Sequence, residues 1–158
     1  MNKIITNQSK TIKLTNVLKY KYLLHEEKYD FNVEIERMQS YIRVKSAMQI
    51  GPLIQYTRAF LNEEKELDIE VVIMLQSSIY IHNVEEPYYM ESVLRITDCM
   101  YCRYIGPEDK LKLAYDKLNI EAFENDIQLK GDSYTIFVDG KKEENTIIAD
   151  VFMPRADS

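Results

Sequence analysis

The chain has 158 residues, 46% hydrophobic and 29% charged, with four glycines and four prolines. That size and balance fit one folded domain with its own core and exclude a low-complexity or linker-like chain. The net charge of −6 speaks against nucleic acid as a partner, because such affinity comes largely from Lys and Arg on phosphates.

The chain begins Met1–Lys13, which is polar and lacks the continuous apolar segment of a signal peptide. The longest apolar run, Val71–Leu75, is far too short to span a bilayer. With two cysteines and no export signal, a reducing cytoplasmic setting is expected and membrane association is not. Ile12 and Leu14 alternate with polar residues as in a strand. From Thr15 onward, Val17, Leu18, Lys21 and Leu24 follow a helical spacing, with Thr15 or Asn16 as N-cap. Residues 1–32 are taken as an accessory segment ending near Tyr29.

From Val33 onward the pattern sharpens. Val33–Met38 and Tyr41–Met48 alternate like strands, with Ile42, Val44 and Met48 on one face. Ile50-Gly51-Pro52 follows. Proline suits the first position of a helix, where its missing N–H costs nothing. Leu53, Tyr56, Phe60 and Leu61 then predict a first helix, closed by the polar run Asn62–Glu66. Asp68–Leu75 predicts a β-branched strand, with Ile79–Val84 as its hairpin partner.

A second half runs in the same order. Tyr88–Ile96 and Cys99–Ile105 read as strands, and Ile105-Gly106-Pro107 opens a second helix. Leu111, Ala114, Tyr115, Leu118 and Ala122 fall on one face of it. Asp132–Val138 is a strand, Asp139-Gly140 a tight turn, and Thr146–Met153 the closing strand before Pro154. The matching tripeptides at 50–52 and 105–107 suggest an internal repeat, about 33–86 and 87–154. The expected architecture is α+β: two pseudo-symmetric βαββ-type repeats in one antiparallel sheet of about eight strands. Two helices would lie on one face, with a ligand cleft between them.

The usual catalytic constellations are thin. Cys99-Met100-Tyr101-Cys102 is a C-x-x-C within a strand, without a second pair for zinc and without a helix N-terminus to activate a thiol. His25 and His82, the two histidines, have no metal spacing. Four glycines cannot write a phosphate loop. The carboxylate pairs Glu34/Glu36 and Glu85/Glu86 read as a solvated strand edge and a loop. No catalytic residue, metal or cofactor is assigned. What stands out is aromatic: twelve tyrosines, five phenylalanines and no tryptophan. Tyrosine combines an apolar face with a polar tip, and aromatic faces attract lipophilic cations.

The tandem strand–helix–strand–strand order resembles the GyrI-like effector-binding domains, the ligand-sensing halves of multidrug transcription regulators. The stretches that carry the likeness are Val33-Glu34-Ile35, Ile50-Gly51-Pro52, Met90-Glu91 to Tyr104, Gly106-Pro107, Asp132–Phe137 and Ile148–Pro154. It covers about residues 33–154, so residues 33–158 are taken as the domain, in a stand-alone form without a DNA-binding headpiece. The resemblance implies a pocket for bulky, flat, lipophilic cations, drawing on Pro52, Tyr56, Phe60, Ile105, Thr135, Phe137, Asn145 and Ile147. Thr135 stands where family members often carry the glutamate that pairs with the cation. Glu91 is then one candidate counter-ion, the alternatives being an acid from residues 1–32 or tyrosine faces with no close carboxylate. The resemblance implies binding of hydrophobic, cationic small molecules. The alternative is a protein-interaction module acting on a partner such as DNA gyrase, and a hydrolase of reactive toxins is the least favoured reading.

Overall fold

The computed structural model describes residues 3–26, 31–141 and 145–156. Among these are six strands and two α-helices: β1 (Lys3–Leu23), α1 (Phe31–Val44), β2 (Gln49–Leu61), β3 (Leu67–Ser77), β4 (Tyr88–Gly106), α2 (Lys112–Glu124), β5 (Asp132–Lys141) and β6 (Thr146–Pro154). The class is α+β, as expected, with antiparallel pairings. The expected end of the accessory segment near Tyr29 falls outside the described residues. Among the described residues no helix is long and apolar enough to cross a membrane.

The strand count is six rather than about eight, and each difference has a local cause. The two strands expected over 33–48 are one helix, α1. Phe31, Ile35, Met38 and Ile42 recur at intervals of three and four, and Met38 and Ile42 are fully buried. Val44 and Met48, expected to share Ile42's inward face, are 78% and 70% exposed. The short alternation over 33–38 was a weaker signal than this longer stripe.

The helix expected after Gly51-Pro52 is strand β2. Its isoleucines, tyrosine, threonine and phenylalanine favour a pleated surface. Gly51 and Pro52 occupy an irregularity between Ile50 and Ile54, where the register to β3 shifts. Gly51 has φ +70, and a Cβ there would lie 3.1 Å from Gln76 Nε2. Proline is tolerated at such a bulge because the ladder hydrogen bond is already missing. The tripeptides at 50–52 and 105–107 therefore sit in different places: one inside a strand after α1, the other at the end of β4 before α2.

Other corrections are smaller. The helix expected from Thr15 is the second half of β1, whose Val17–Leu23 pair with Leu23's partner Glu70 through Gln76 of β3. Ile79–Val84 is a loop, anchored by buried Ile81. The strands at 88–96 and 99–105 are one long strand, with left-handed Asp98 (φ 54) between them. Asp139 and Gly140, expected to form a tight turn, are strand residues paired to β6, opposite Ile148 and Ile147. The order strand–helix–strand–strand does run twice, starting at β1 and at β4.

The chain divides into two compact units. The first comprises 1–12 and 95–158. In it α2 buries Ala114, Leu118 and Ala122 against Met100, Cys102, Tyr104, Val151 and Met153 of the β4–β6 ladder. The second comprises 13–94. In it α1 buries Met38 and Ile42 against Leu18, Ile73 and Leu75, with Tyr20, Tyr22, Tyr41 and Tyr88 around the rim.

The helical reading of 31–44 makes a sharp prediction. Met38→Ala should cost about 2–4 kcal/mol, as a large-to-small change at a fully buried site. Val44→Ala should cost less than about 0.5 kcal/mol. Urea unfolding of both variants checks this, and equal losses would restore the strand assignment.

Candidate functional site

Unit 13–94 gathers four tyrosines into one cluster, two of which reach a cleft. Tyr20 and Tyr22 alternate with Lys19 and Lys21 along β1, so their rings share the α1 side. Tyr88 opens β4 and inserts its ring among them. Its centroid lies 6.0 Å from Tyr20 and 4.9 Å from Tyr41, and Tyr20 lies 5.8 Å from Tyr22. The angled rings suit the edge-to-face preference of aromatic quadrupoles.

Under this cluster lies a carboxylate. Glu34, in the first turn of α1, is only 5% exposed, and Tyr88 Oη donates to its Oε1 at 3.0 Å. As a first-turn acid, Glu34 sits at the positive end of the α1 dipole. Burial and Glu34 together push the Tyr88 phenol up to about 12, so at neutral pH Tyr88 is a firm hydrogen-bond donor.

Tyr22, Tyr88 and Tyr89 line a cleft of about 530 Å³, together with Lys21, Glu26 and Glu86. Drug-sized ligands occupy roughly 300–1,000 Å³. Its walls thus offer three phenol rings, two surface carboxylates and one lysine. Lys21 is drawn toward Glu70, 3.6 Å away, which also accepts from Arg58 Nη2 at 2.9 Å.

The nine residues anticipated for binding are distributed over both units. In unit 13–94, Pro52 sits at the β2 irregularity, Tyr56 lies opposite Val72, and Phe60 lies opposite Asp68 under the Arg58 guanidinium, 4.8 Å from the ring centre. Glu91 forms an ion pair with Lys19. In unit 1–12 with 95–158, Thr135 is buried and hydrogen-bonds the Tyr115 hydroxyl of α2. Phe137 lies opposite Ala149 on the same side, and Ile147 packs on the α2 core. Ile105, next to core-facing Tyr104, alternates to the other side. Asn145 is an exposed left-handed residue (φ 50) just before β6. The residues lining the tyrosine cleft are different ones, with Glu91 two positions from Tyr89.

Sequence reasoning placed Glu34 on a solvated edge and so passed over it. The signal that finds it is the helical stripe: Glu34 and Met38 are four residues apart and therefore on one face.

Several acids elsewhere are held by cations. Asp150 accepts from Arg103 Nε and Nη2 and from the Tyr101 hydroxyl, at 2.8, 3.0 and 2.9 Å. Burial raises the thiols of Cys99 and Cys102 to about 11 and about 12, so neither is a nucleophile at neutral pH. Among the described residues no group of three His, Cys, Asp or Glu side chains is arranged to hold a metal.

A second cleft of about 490 Å³ adjoins the end of β1 and is strongly acidic, with Glu26, Glu63, Glu64, Glu66 and Asp68 beside His25. His25 Nδ1 hydrogen-bonds Asp68, which is 7% exposed and also accepts from the Ile69 amide. The Asp68 bond raises the His25 pKa above 6.5 and lowers that of Asp68 below 3.8. A raised folded-state pKa stabilises fully below the unfolded value and is lost as pH rises through the folded one. Thermal unfolding temperature should therefore fall as pH rises through the His25 titration. His25→Gln should abolish that slope while leaving the decline at acid pH, and an unchanged slope would refute the assignment.

No protein-family model matches the sequence, and no curated protein matches it. Solved structures do. The chain superposes on the protein in the cryo-EM EcmrR–DNA complex with TM-score 0.64 and 17% identity, covering 98% of this chain and 57% of that one. It thus spans little more than half of that chain. Against the EcmrR C-terminal domain alone the TM-score is 0.54 at 15% identity, with 98% and 96% covered. A hydrolase encoded by lin2189 from Listeria innocua gives 0.56 at 9%, with 94% and 92% covered. SAV2435 bound to tetraphenylphosphonium gives 0.51 at 7%, with 98% and 93% covered. The fold is shared with these proteins, and the α+β class expected from the sequence is borne out by it.

Proposed function

We propose that this chain binds bulky hydrophobic cations in the tyrosine cleft of unit 13–94, with buried Glu34 as the counter-ion. The observation that carries the reading is the hydrogen bond from a neutral phenol to a buried carboxylate beside clustered tyrosines. A phenol is a displaceable partner. A ligand cation replacing it would exchange a dipole for a full charge in a medium of low effective dielectric, where the gain is large. Glu70 and Asp150 already carry arginines, so a ligand there would merely exchange one cation for another.

The rings supply the remainder. Each aromatic face within reach of a cation contributes roughly 0.5–2 kcal/mol, and the flat surfaces accept apolar groups of varied shape. The shared fold of a protein bound to tetraphenylphosphonium supports the reading, as does the shared fold of the EcmrR C-terminal domain. Glu91 enters it next to the cleft rather than within it. One fold neighbour is described as a hydrolase, but a phenol pushed up to about 12 donates hydrogen bonds at neutral pH and does not act as a base. Binding without turnover is the function the geometry supports best.

Isothermal titration calorimetry with tetraphenylphosphonium tests this, with triphenylphosphine oxide as the neutral partner. Wild type should bind the cation saturably. Glu34→Gln should weaken it by at least about tenfold, equivalent to about 1.4 kcal/mol, while the neutral compound is little affected. No binding by wild type, or equal binding by Glu34→Gln, would overturn the proposal.

A further inference from the structure

Beside the cleft, the protein holds a cation of its own. Lys19 projects from β1 on the side opposite Tyr20 and Tyr22. Its ammonium lies 5.6 Å from the centre of the Tyr89 ring and forms an ion pair with Glu91. The side chain is only 13% exposed, while that of Glu91 is 38% exposed. A lysine this buried gives up most of its hydration and is placed there by its partners. Tyr89 is also a wall of the cleft. The arrangement is therefore an aromatic face and a carboxylate, the two elements that recognise an organic cation, already filled by an internal ammonium.

A related arrangement, in which an arginine rather than the lysine holds the acid, occurs in the other unit. Lys10, also from β1, places its ammonium 3.9 Å from the centre of the Tyr101 ring, and Tyr101 donates to Asp150. In each case a β1 lysine covers a β4 tyrosine that is tied to an acid or lies beside one. The recurrence points to a role for the lysine beyond packing.

We propose that Lys19 is a built-in competitor that occupies a second cation position formed by Tyr89 and Glu91, and so limits the affinity of the neighbouring cleft for cationic ligands. The inference rests on the binding reading above. With Lys19 in place, an incoming cation meets a like charge beside Tyr89 and cannot use Glu91. Without it, Tyr89 and Glu91 become available, and the repulsion is gone. The residue selects by charge: it opposes cations and is indifferent to neutral ligands of the same shape.

The test compares wild type, Lys19→Met and Lys19→Arg by titration with tetraphenylphosphonium and triphenylphosphine oxide. Methionine keeps the length of the stem and removes the charge. Glu91 is partly solvated, so its loss of a partner is tolerable, and Lys19→Gln serves if the methionine variant unfolds. Lys19→Met should bind the phosphonium roughly tenfold more tightly, with affinity for the neutral oxide unchanged and Lys19→Arg close to wild type. Adding Glu91→Gln to Lys19→Met should abolish most of the gain. A wild type that binds the cation through Glu34, with no gain in Lys19→Met, overturns this inference alone. Equal tightening for both ligands means a widened cleft and also overturns it. Absence of cation binding in wild type and Lys19→Met alike removes the binding reading and this inference together.

Discussion

The hydrogen bond from Tyr88 to Glu34 is the constraint on which unit 13–94 turns. It ties the start of β4 to the first turn of α1, two segments more than fifty residues apart in sequence. A carboxylate only 5% exposed must be satisfied, since leaving it without a donor costs about 1–3 kcal/mol or more. The phenol that satisfies it must in turn sit at one place, and the rings of Tyr20 and Tyr41 then pack around that ring. Helix position, strand start and aromatic wall are thereby set together. A purely apolar contact between α1 and β4 would hold the helix as well but would leave no buried carboxylate behind Tyr88.

The second half of the chain was legible because its signals agree. Pro107 precedes a helical stripe at 111, 114, 118 and 122, and α2 lies where that stripe puts it, with Ala114, Leu118 and Ala122 buried. The β-branched stretches at 132–138 and 146–153 became β5 and β6. In the first half the signals conflict. Gly51-Pro52 resembles a helix start, yet glycine with a positive φ and proline without an N–H also suit a strand irregularity, and the flanking isoleucines and aromatics decide for the strand. Once 53–61 was read as a helix, the true helix over 31–44 was displaced into strands, and the matching tripeptides reinforced the displacement.

The same slip hid the candidate site. A strand reading of 33–38 puts Glu34 and Glu36 on one face, and so in water. A helical reading separates them, with Glu34 buried beside the Met38 face and Glu36 exposed. The tyrosines were conspicuous as a composition but not as a cluster, because Tyr20, Tyr41 and Tyr88 meet only through β1, α1 and β4 packing on one another. Long-range convergence of this kind leaves no mark in any sequence window. Glu91 was legible as an acid next to a tyrosine pair, but its lysine partner lies 72 residues upstream.

Glu34 differs electrostatically from the acids that carry a cation. Glu70, Glu91 and Asp150 accept from lysine or arginine, and Asp68 from a histidine whose proton affinity the contact raises. These contacts close on themselves: each negative charge meets a positive one from the same chain, and little field remains for anything else. The hydrogen bond on Glu34 comes from a phenol, which carries a dipole and no net charge. On the proposed reading a ligand cation would displace the phenol, since a charge outcompetes a dipole at equal distance. Selectivity in such a protein depends less on how many acids it carries than on which of them its own lysines and arginines leave to a neutral partner.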